Sequence, residues 1–314
     1  MSLSPAQIAA LVEVSQIWPG LQIVIIGATA LGFHVEMRWR QTADLDLVIA
    51  VGVDDLQAIA QRPGWHQSAL RQHEFRSPHG ARMDILPAAA PLIERGHIAW
   101  PSGHMMSLAG MDLVFAHAVA RDLGGGHLVH VAPAPVVAVL KMVAYGDRPS
   151  ERERDLADIA YLLDVYVEDD SDRRWDEAAD VEYDLAPAFL LGRDIGRLAR
   201  ETHRPLIGGF LDRVGDPDSV QHAIMQRLGP SSWRGEEGAL QRRLDVFHRG
   251  FEGALVDRAA EKETLEEGPQ LTRTREVAAP PSTRKSRDRN RSRLSVGGAD
   301  GTRTRGLRRD RPAL

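Results

Sequence analysis

The chain has 314 residues, of which 43% are hydrophobic and 26% charged, with a net charge of −5 and no cysteine. This length exceeds one average domain of roughly 100–200 residues, and the composition is that of a soluble globular protein rather than a globally disordered one. Without cysteine there is neither a disulfide framework nor a thiolate metal site, so zinc would need histidine and carboxylate ligands alone.

No basic start followed by an apolar run marks a targeting segment, and no apolar stretch approaches the ~20 residues that cross a bilayer, so a cytoplasmic protein without a membrane partner is expected. Charge is unevenly spread. Residues 273–314 hold 13 Arg or Lys against 4 Asp or Glu, which leaves the remainder at −14. A body this acidic would contact nucleic acid only through a local basic patch.

In chain order, residues 5–17 repeat apolar positions at helical spacing after Ser4, a natural N-cap, and Pro19-Gly20 ends the run. LQIVIIG at 21–27 reads as a buried strand and ATALGFHVEMRWR behind it as a helix. DLDLVIAV at 44–51 predicts a second buried strand, and DDLQAIAQR at 54–62 a helix. WHQSALRQHEFR and ARMDILP read as two strands joined by the turn SPHG at 77–80. The order so far is αβαβαββ.

MDLVFAHAV and HLVHVA then flank an LGGG turn. APAPVVAVLKMVAYGDR and ERERDLADIAYLLDVY (151–166) predict two adjacent helices. The acidic stretch VEDDSDRRWDEAAD resembles a linker, and four further apolar-periodic segments suggest a small helical bundle. From about Asp257 apolar residues thin out, and TRKSRDRNRSR is a solvated charge run that cannot offset its ordering entropy by burial. The final GADGTRTRGLRRDRPAL resembles the peptide produced when a transfer-RNA gene is read as coding sequence, so no function is rested on it. Three parts are expected: residues 1–167, a helical region 168–257 and a disordered basic tail 258–314.

Asp44 and Asp46 are two apart, so on a strand both carboxylates face the same side. Their repulsion calls for a divalent ion or a shared proton, and magnesium suits carboxylate plus phosphate oxygens. Asp84 lies between apolar neighbours in Arg82-Met83-Asp84-Ile85-Leu86, where an ionised carboxylate must be paired, hydrated or metal-bound. Three carboxylates make a two-metal phosphoryl-transfer site thinkable.

Gly27 stands at a strand–helix junction, where backbone N–H groups of Gly27 and Ala28 can meet a phosphate and Thr29 can add a hydroxyl. Lys141 is the only lysine before Lys262; its compact ammonium suits a phosphate or a leaving group better than guanidinium does. Arg154, Asp155 and Asp158 lie at helical spacing and can pair within their own helix, while Arg148 offers phosphate charge or caps a helix. The histidines at 66, 73, 79, 97, 104, 117, 127 and 130 form no H-x₃-H or HExxH spacing and read as surface or strand residues. DLGGGH fits neither a Rossmann nor a P-loop motif.

Together, Ile26-Gly27-Ala28-Thr29-Ala30-Leu31, Thr42-Ala43-Asp44-Leu45-Asp46-Leu47 and Arg82-Met83-Asp84-Ile85-Leu86 resemble the polymerase-β nucleotidyltransferase superfamily. With Lys141 and Arg154-Asp155-Leu156-Ala157-Asp158, they are similar more narrowly to the AbiEii/AbiGii-toxin-like nucleotidyltransferases. The likeness spans roughly residues 20–165, and where the superfamily has Gly-Gly or Gly-Ser this chain has Gly27-Ala28.

The resemblance implies an α+β fold, a mixed sheet with flanking helices. It also implies metal-dependent transfer of a nucleoside monophosphate from a triphosphate to RNA or protein, in a toxin–antitoxin or phage-defence pair with a cognate antitoxin. Asp44, Asp46 and Asp84 would then bind Mg²⁺ or Mn²⁺ and, with Lys141, carry the chemistry. Gly27, Ala28, Thr29, Lys141 and Arg148 would touch the triphosphate, and Asp158 would orient Lys141. Two alternatives stand beside this reading: a catalytically inactive nucleotide- or protein-binding module of the same fold, and a transferase acting on an aminoglycoside-type small molecule.

Overall fold

The structure is a computed structural model that describes residues 3–39, 42–123 and 127–266, all within the compact unit formed by residues 1–268. The first helix, α1 (Pro5–Ile17), starts on a complete capping box: Ser4 Oγ accepts from the Gln7 amide while Gln7 Oε1 accepts from the Ser4 amide. Strand β1 (Ile23–Ile25) is a fully buried β-branched triplet. The helix expected over residues 28–40 is only α2 (Gly27–Leu31), because at Gly32 the chain turns away and runs irregularly to Trp39.

Strand β2 (Asp44–Ile49) follows, then a 3₁₀ turn (Asp54–Leu56) and α3 (Gln57–Ala60). WHQSALRQHEFR is itself a hairpin rather than one strand: β3 (His66–Gln67) folds back on β4 (Glu74–Arg76), which then pairs with β5 (Arg82–Pro87). Beyond β5 come α4 (Ala90–Arg95), ended by left-handed Gly96, and a separate ribbon of β6 (His97–Ala99) and β7 (Met105–Ser107). Then come α5 (Met111–His117), β8 (Val119–Asp122) and β9 (Leu128–Val131). Most of the expected LGGG turn lies outside the described residues.

Seven strands form one mixed sheet in the order β3-β4-β5-β2-β1-β9-β8. The β2–β5 and β1–β9 pairs are parallel and the others antiparallel. The two helices predicted next are α6 (Ala134–Asp147) and α7 (Glu153–Val165). The fold is thus mixed α and β, with helices against a mixed sheet.

The stretch read as a linker is anchored. It carries α8 (Arg173–Asp176), and Arg174 turns inward to donate to the carbonyls of Val167, Glu168 and Tyr183 and to Asp169. A buried guanidinium so fully satisfied holds the segment in place. The expected bundle follows as α9 (Ala186–Leu198), α10 (Arg204–Gly215), α11 (Val220–Leu228) and α12 (Ala239–Glu266). Residues 258–266, assigned by sequence to the tail, continue α12, and Arg258 donates to the carbonyls of Gly196 and Ala199. The rest of the expected tail lies outside the described residues.

One hydrophobic core runs from Leu3 through the sheet to Leu255, so α9–α12 share it with the strands. Helix α7 links the two regions: its Asp164 accepts hydrogen bonds from Ser232, Trp233 and Arg243. Among the described residues no helix is long and apolar enough to cross a membrane.

Helices α9 and α12 touch backbone to backbone. A Cβ on Gly192 would lie 2.0 Å from Phe247 O, and one on Gly250 2.2 Å from Phe189 O. Gly192→Ala should therefore lower stability by about 1–3 kcal/mol of overpacking, against a helix-propensity gain of only about 1 kcal/mol. Gly253→Ala, on the same α12 with nothing within 4 Å of the added methyl, should be neutral or stabilising. Urea unfolding of both variants checks the contrast, and equal effects would contradict it.

Candidate active site

In β2, Leu45 and Leu47 are fully buried on one face, which turns Asp44 and Asp46 to the other. Parallel pairing with β5 sets Asp46 opposite Asp84 and Asp44 opposite Arg82. Antiparallel pairing of β4 then sets Glu74 opposite Asp84 from the other side. Asp46, Asp84 and Glu74 thus form a row across three strands, one strand spacing of about 4.8 Å per step.

Like charges directly opposite one another oppose folding. Burial, then Asp46, Glu74 and Asp44, push the Asp84 carboxyl up to about 7. Asp44 lies 3.3 Å from the Arg82 guanidinium, yet its Oδ1 has no hydrogen-bond partner among the described residues and is sheltered from water. Such a set of clustered carboxylates suits a divalent cation.

Gly27 is dictated by Asp46. Its φ of +66° is left-handed, and a Cβ there would come within 2.1 Å of Asp46 Oδ2. The junction is tied to β2 by the Ile26 amide on Asp46 O at 2.9 Å. Thr29 departs from expectation: fully buried, it donates its hydroxyl to Asp44 O at 2.9 Å and braces β2 instead of facing a phosphate. Ala28 lines the cavity beside Gly27. Helix α2 spans five residues, too short for a macrodipole to matter.

Lys141, only 6% exposed, lies on α6 with its ammonium between Asp155 (2.8 Å) and Asp158 (2.7 Å) of α7. Burial works to lower its pKa, but the two carboxylates outweigh it and hold it above the usual lysine range. Paired on both sides, its ammonium is held in place. Asp158 also accepts from Trp39 Nε1 at 2.9 Å, and the Trp39 ring stacks on Tyr161 at 4.4 Å. Asp158 is fully buried and is not among the cavity-lining residues, so it meets Lys141 from behind the wall. Arg148 follows α6 at its C-terminus, bonded to His104 and 3.4 Å from Glu151.

These groups surround a cavity of about 910 Å³ lined by Gly27, Ala28, Asp44, Asp46, Asp84 and Lys141. Arg71, Arg148, Arg152 and Arg154 make part of its wall basic, and Trp100 and His104 close it from the β6–β7 ribbon. That volume suits a nucleotide-sized ligand. The three aspartates expected to share an ion do not gather most tightly. Among the described residues the trio whose ligand atoms lie within 4.8 Å of one another is His73, Glu74 and Asp84. Asp46 is turned toward Gly27 and Asp44 toward Arg82. Sequence reasoning misses His73 and Glu74 because it does not separate β4 from β3; the alternation of Glu74 and Arg76 about buried Phe75 is the available signal.

Two consequences are measurable. Asp84 titrates at about 7, above its ordinary 3.8, so its protonated form favours folding; that contribution is complete below about pH 3.8 and lost as pH rises through about 7. In chelator-treated buffer, Asp84→Asn should melt above the wild type at pH 8, with the gap closing toward pH 5; a gap independent of pH would contradict this. Lys141→Met strands two buried carboxylates and should cost about 3–5 kcal/mol in urea unfolding; a loss under about 1 kcal/mol, the range of an exposed ion pair, would show the ammonium to be dispensable. Compared with protein-family models and with curated proteins, the sequence matches none.

Proposed function

We propose that the chain is a metal-dependent nucleotidyltransferase that moves a nucleoside monophosphate from a nucleoside triphosphate to an acceptor hydroxyl and releases pyrophosphate. The observation that carries this reading is the in-register pairing of Asp46 with Asp84, beside a left-handed glycine, at the floor of a nucleotide-sized cavity. Asp44, Asp46 and Asp84 would hold the cation, Mg²⁺ or Mn²⁺. Bound there, it would supply the positive charge that braces a triphosphate and its leaving group.

The chain's own residues do the remaining work. Gly27 leaves room for the Asp46 carboxylate against the backbone, and the Ala28 amide beside it is offered to a phosphate. Arg148, Arg152 and Arg154 offer charge to the phosphates along the cavity wall. Lys141, held by Asp155 and Asp158, adds a fixed positive charge at the wall. Asp84, opposite Asp46 on the cavity floor, is the carboxylate placed to accept the proton of the attacking hydroxyl. RNA or protein as acceptor, and a cognate antitoxin as partner, rest on the family resemblance alone.

A second reading is favoured by two observations: the Thr29 hydroxyl is engaged with β2, and the Lys141 charge is already met by two carboxylates. On it, the chain binds nucleotide without transferring it. Incubation of the full chain with each labelled triphosphate, Mg²⁺ and total RNA or protein separates the two. Transfer that disappears in Asp46→Asn, with circular dichroism unchanged, supports the enzyme. Triphosphate binding without transfer supports the module, and activity surviving in Asp46→Asn would sink the catalytic assignment.

A further inference from the structure

We propose that His73, Glu74 and Asp84 form a second divalent-cation site, distinct from the all-carboxylate set of Asp44, Asp46 and Asp84, whose imidazole donor makes it select Mn²⁺ or Zn²⁺ over Mg²⁺. The geometry is close to what one ion requires. Donors bound at about 2.0–2.2 Å lie at most ~4.4 Å apart, and these three already lie within 4.8 Å of one another. Closing the remainder takes only a slight movement of half-exposed side chains.

The backbone supports the cluster independently of any ion. Glu74 and Asp84 face each other across the β4–β5 ladder, and the Ile85 amide donates to His73 O at 2.8 Å, so His73 is hydrogen-bonded to β5 as well. The His73 ring lies 5.5 Å from the ring of Trp100, which is 4% exposed and anchors it. Neither ring nitrogen of His73 has a hydrogen-bond partner among the described residues. One oxygen of Glu74 accepts from Arg71 at 2.7 Å, which orients the carboxylate and leaves its second oxygen for coordination.

The donor set decides the ion. Mg²⁺ favours oxygen ligands and dehydrates reluctantly, whereas imidazole suits the transition metals and zinc. Asp84 belongs to both sets, so the two ions would flank one carboxylate. A part for the second ion in nucleotidyl transfer rests on the function proposed above; its ligand set does not.

The test uses the full chain, free of any histidine tag and loaded with Mn²⁺ alone, read by three-pulse electron spin echo spectroscopy. Wild type is expected to show the ¹⁴N modulation of a directly bound imidazole, and His73→Gln to lose it. Mn²⁺ affinity should fall by at least about 10-fold in His73→Gln, the lower end of what losing even an outer-shell partner costs, while Mg²⁺ affinity changes less than about 3-fold, since magnesium does not need the nitrogen. Glu74→Gln, which keeps the histidine and the hairpin, should also lose one bound Mn²⁺. Absence of ¹⁴N modulation in the wild type, or its persistence in His73→Gln, overturns the proposal. Modulation without transfer from any triphosphate leaves this site standing and removes the enzymatic reading. Transfer without modulation does the reverse.

Discussion

The close approach of Gly27 to Asp46 constrains everything around the cavity. With no Cβ, the residue after β1 takes a left-handed turn directly against a carboxylate of β2, and the Ile26 amide holds the two together. Because β2 is locked there, its pairing partner β5 is fixed in register, and Asp84 is set beside Asp46. A one-residue slip of β5 would send Asp84 into the hydrophobic face now filled by Met83 and Ile85. The charged row therefore persists because the apolar side of the same strands admits no other register.

The cost of that row is like-charge repulsion in a partly buried setting. The fold tolerates it by keeping positive charge near: Arg82 beside Asp44, Arg71 beside Glu74, and Arg148, Arg152 and Arg154 along the rest of the cavity wall. Lys141 is handled differently. Its charge is matched by two acids and sealed by α6 and α7, so it belongs to the framework of the wall as much as to its surface. Exposed arginines and a buried lysine thus divide the positive charge between them.

Patterns contained within one element are legible from sequence. The period-2 spacing of Asp44 and Asp46 reveals their common face, and the Ser4 cap reveals the start of α1. Pairings distant in sequence are not legible. That Glu74 stands opposite Asp84 depends on a hairpin whose first strand is two residues long, below the length at which alternation can be recognised. The overextended helix after Gly27 has a similar cause. Apolar spacing continues through Phe33 and Val35, but tertiary demand prevails, since the chain must turn for Trp39 to reach Asp158 and stack on Tyr161. Thr29 misleads because a hydroxyl beside a glycine turn looks alike in sequence whether it faces a ligand or a strand carbonyl.

Helix α7 has a further consequence. One stretch of it presents Asp155 and Asp158 to Lys141, and farther along Asp164 is gripped by Trp233, Ser232 and Arg243. A helix is a stiff rod on this scale, so the grip at one end sets the tilt at the other. The C-terminal helices therefore act as a mount for the wall rather than as an appendage: a chain truncated after α7 would keep each cavity-lining side chain yet lose the reference against which Lys141 is aligned.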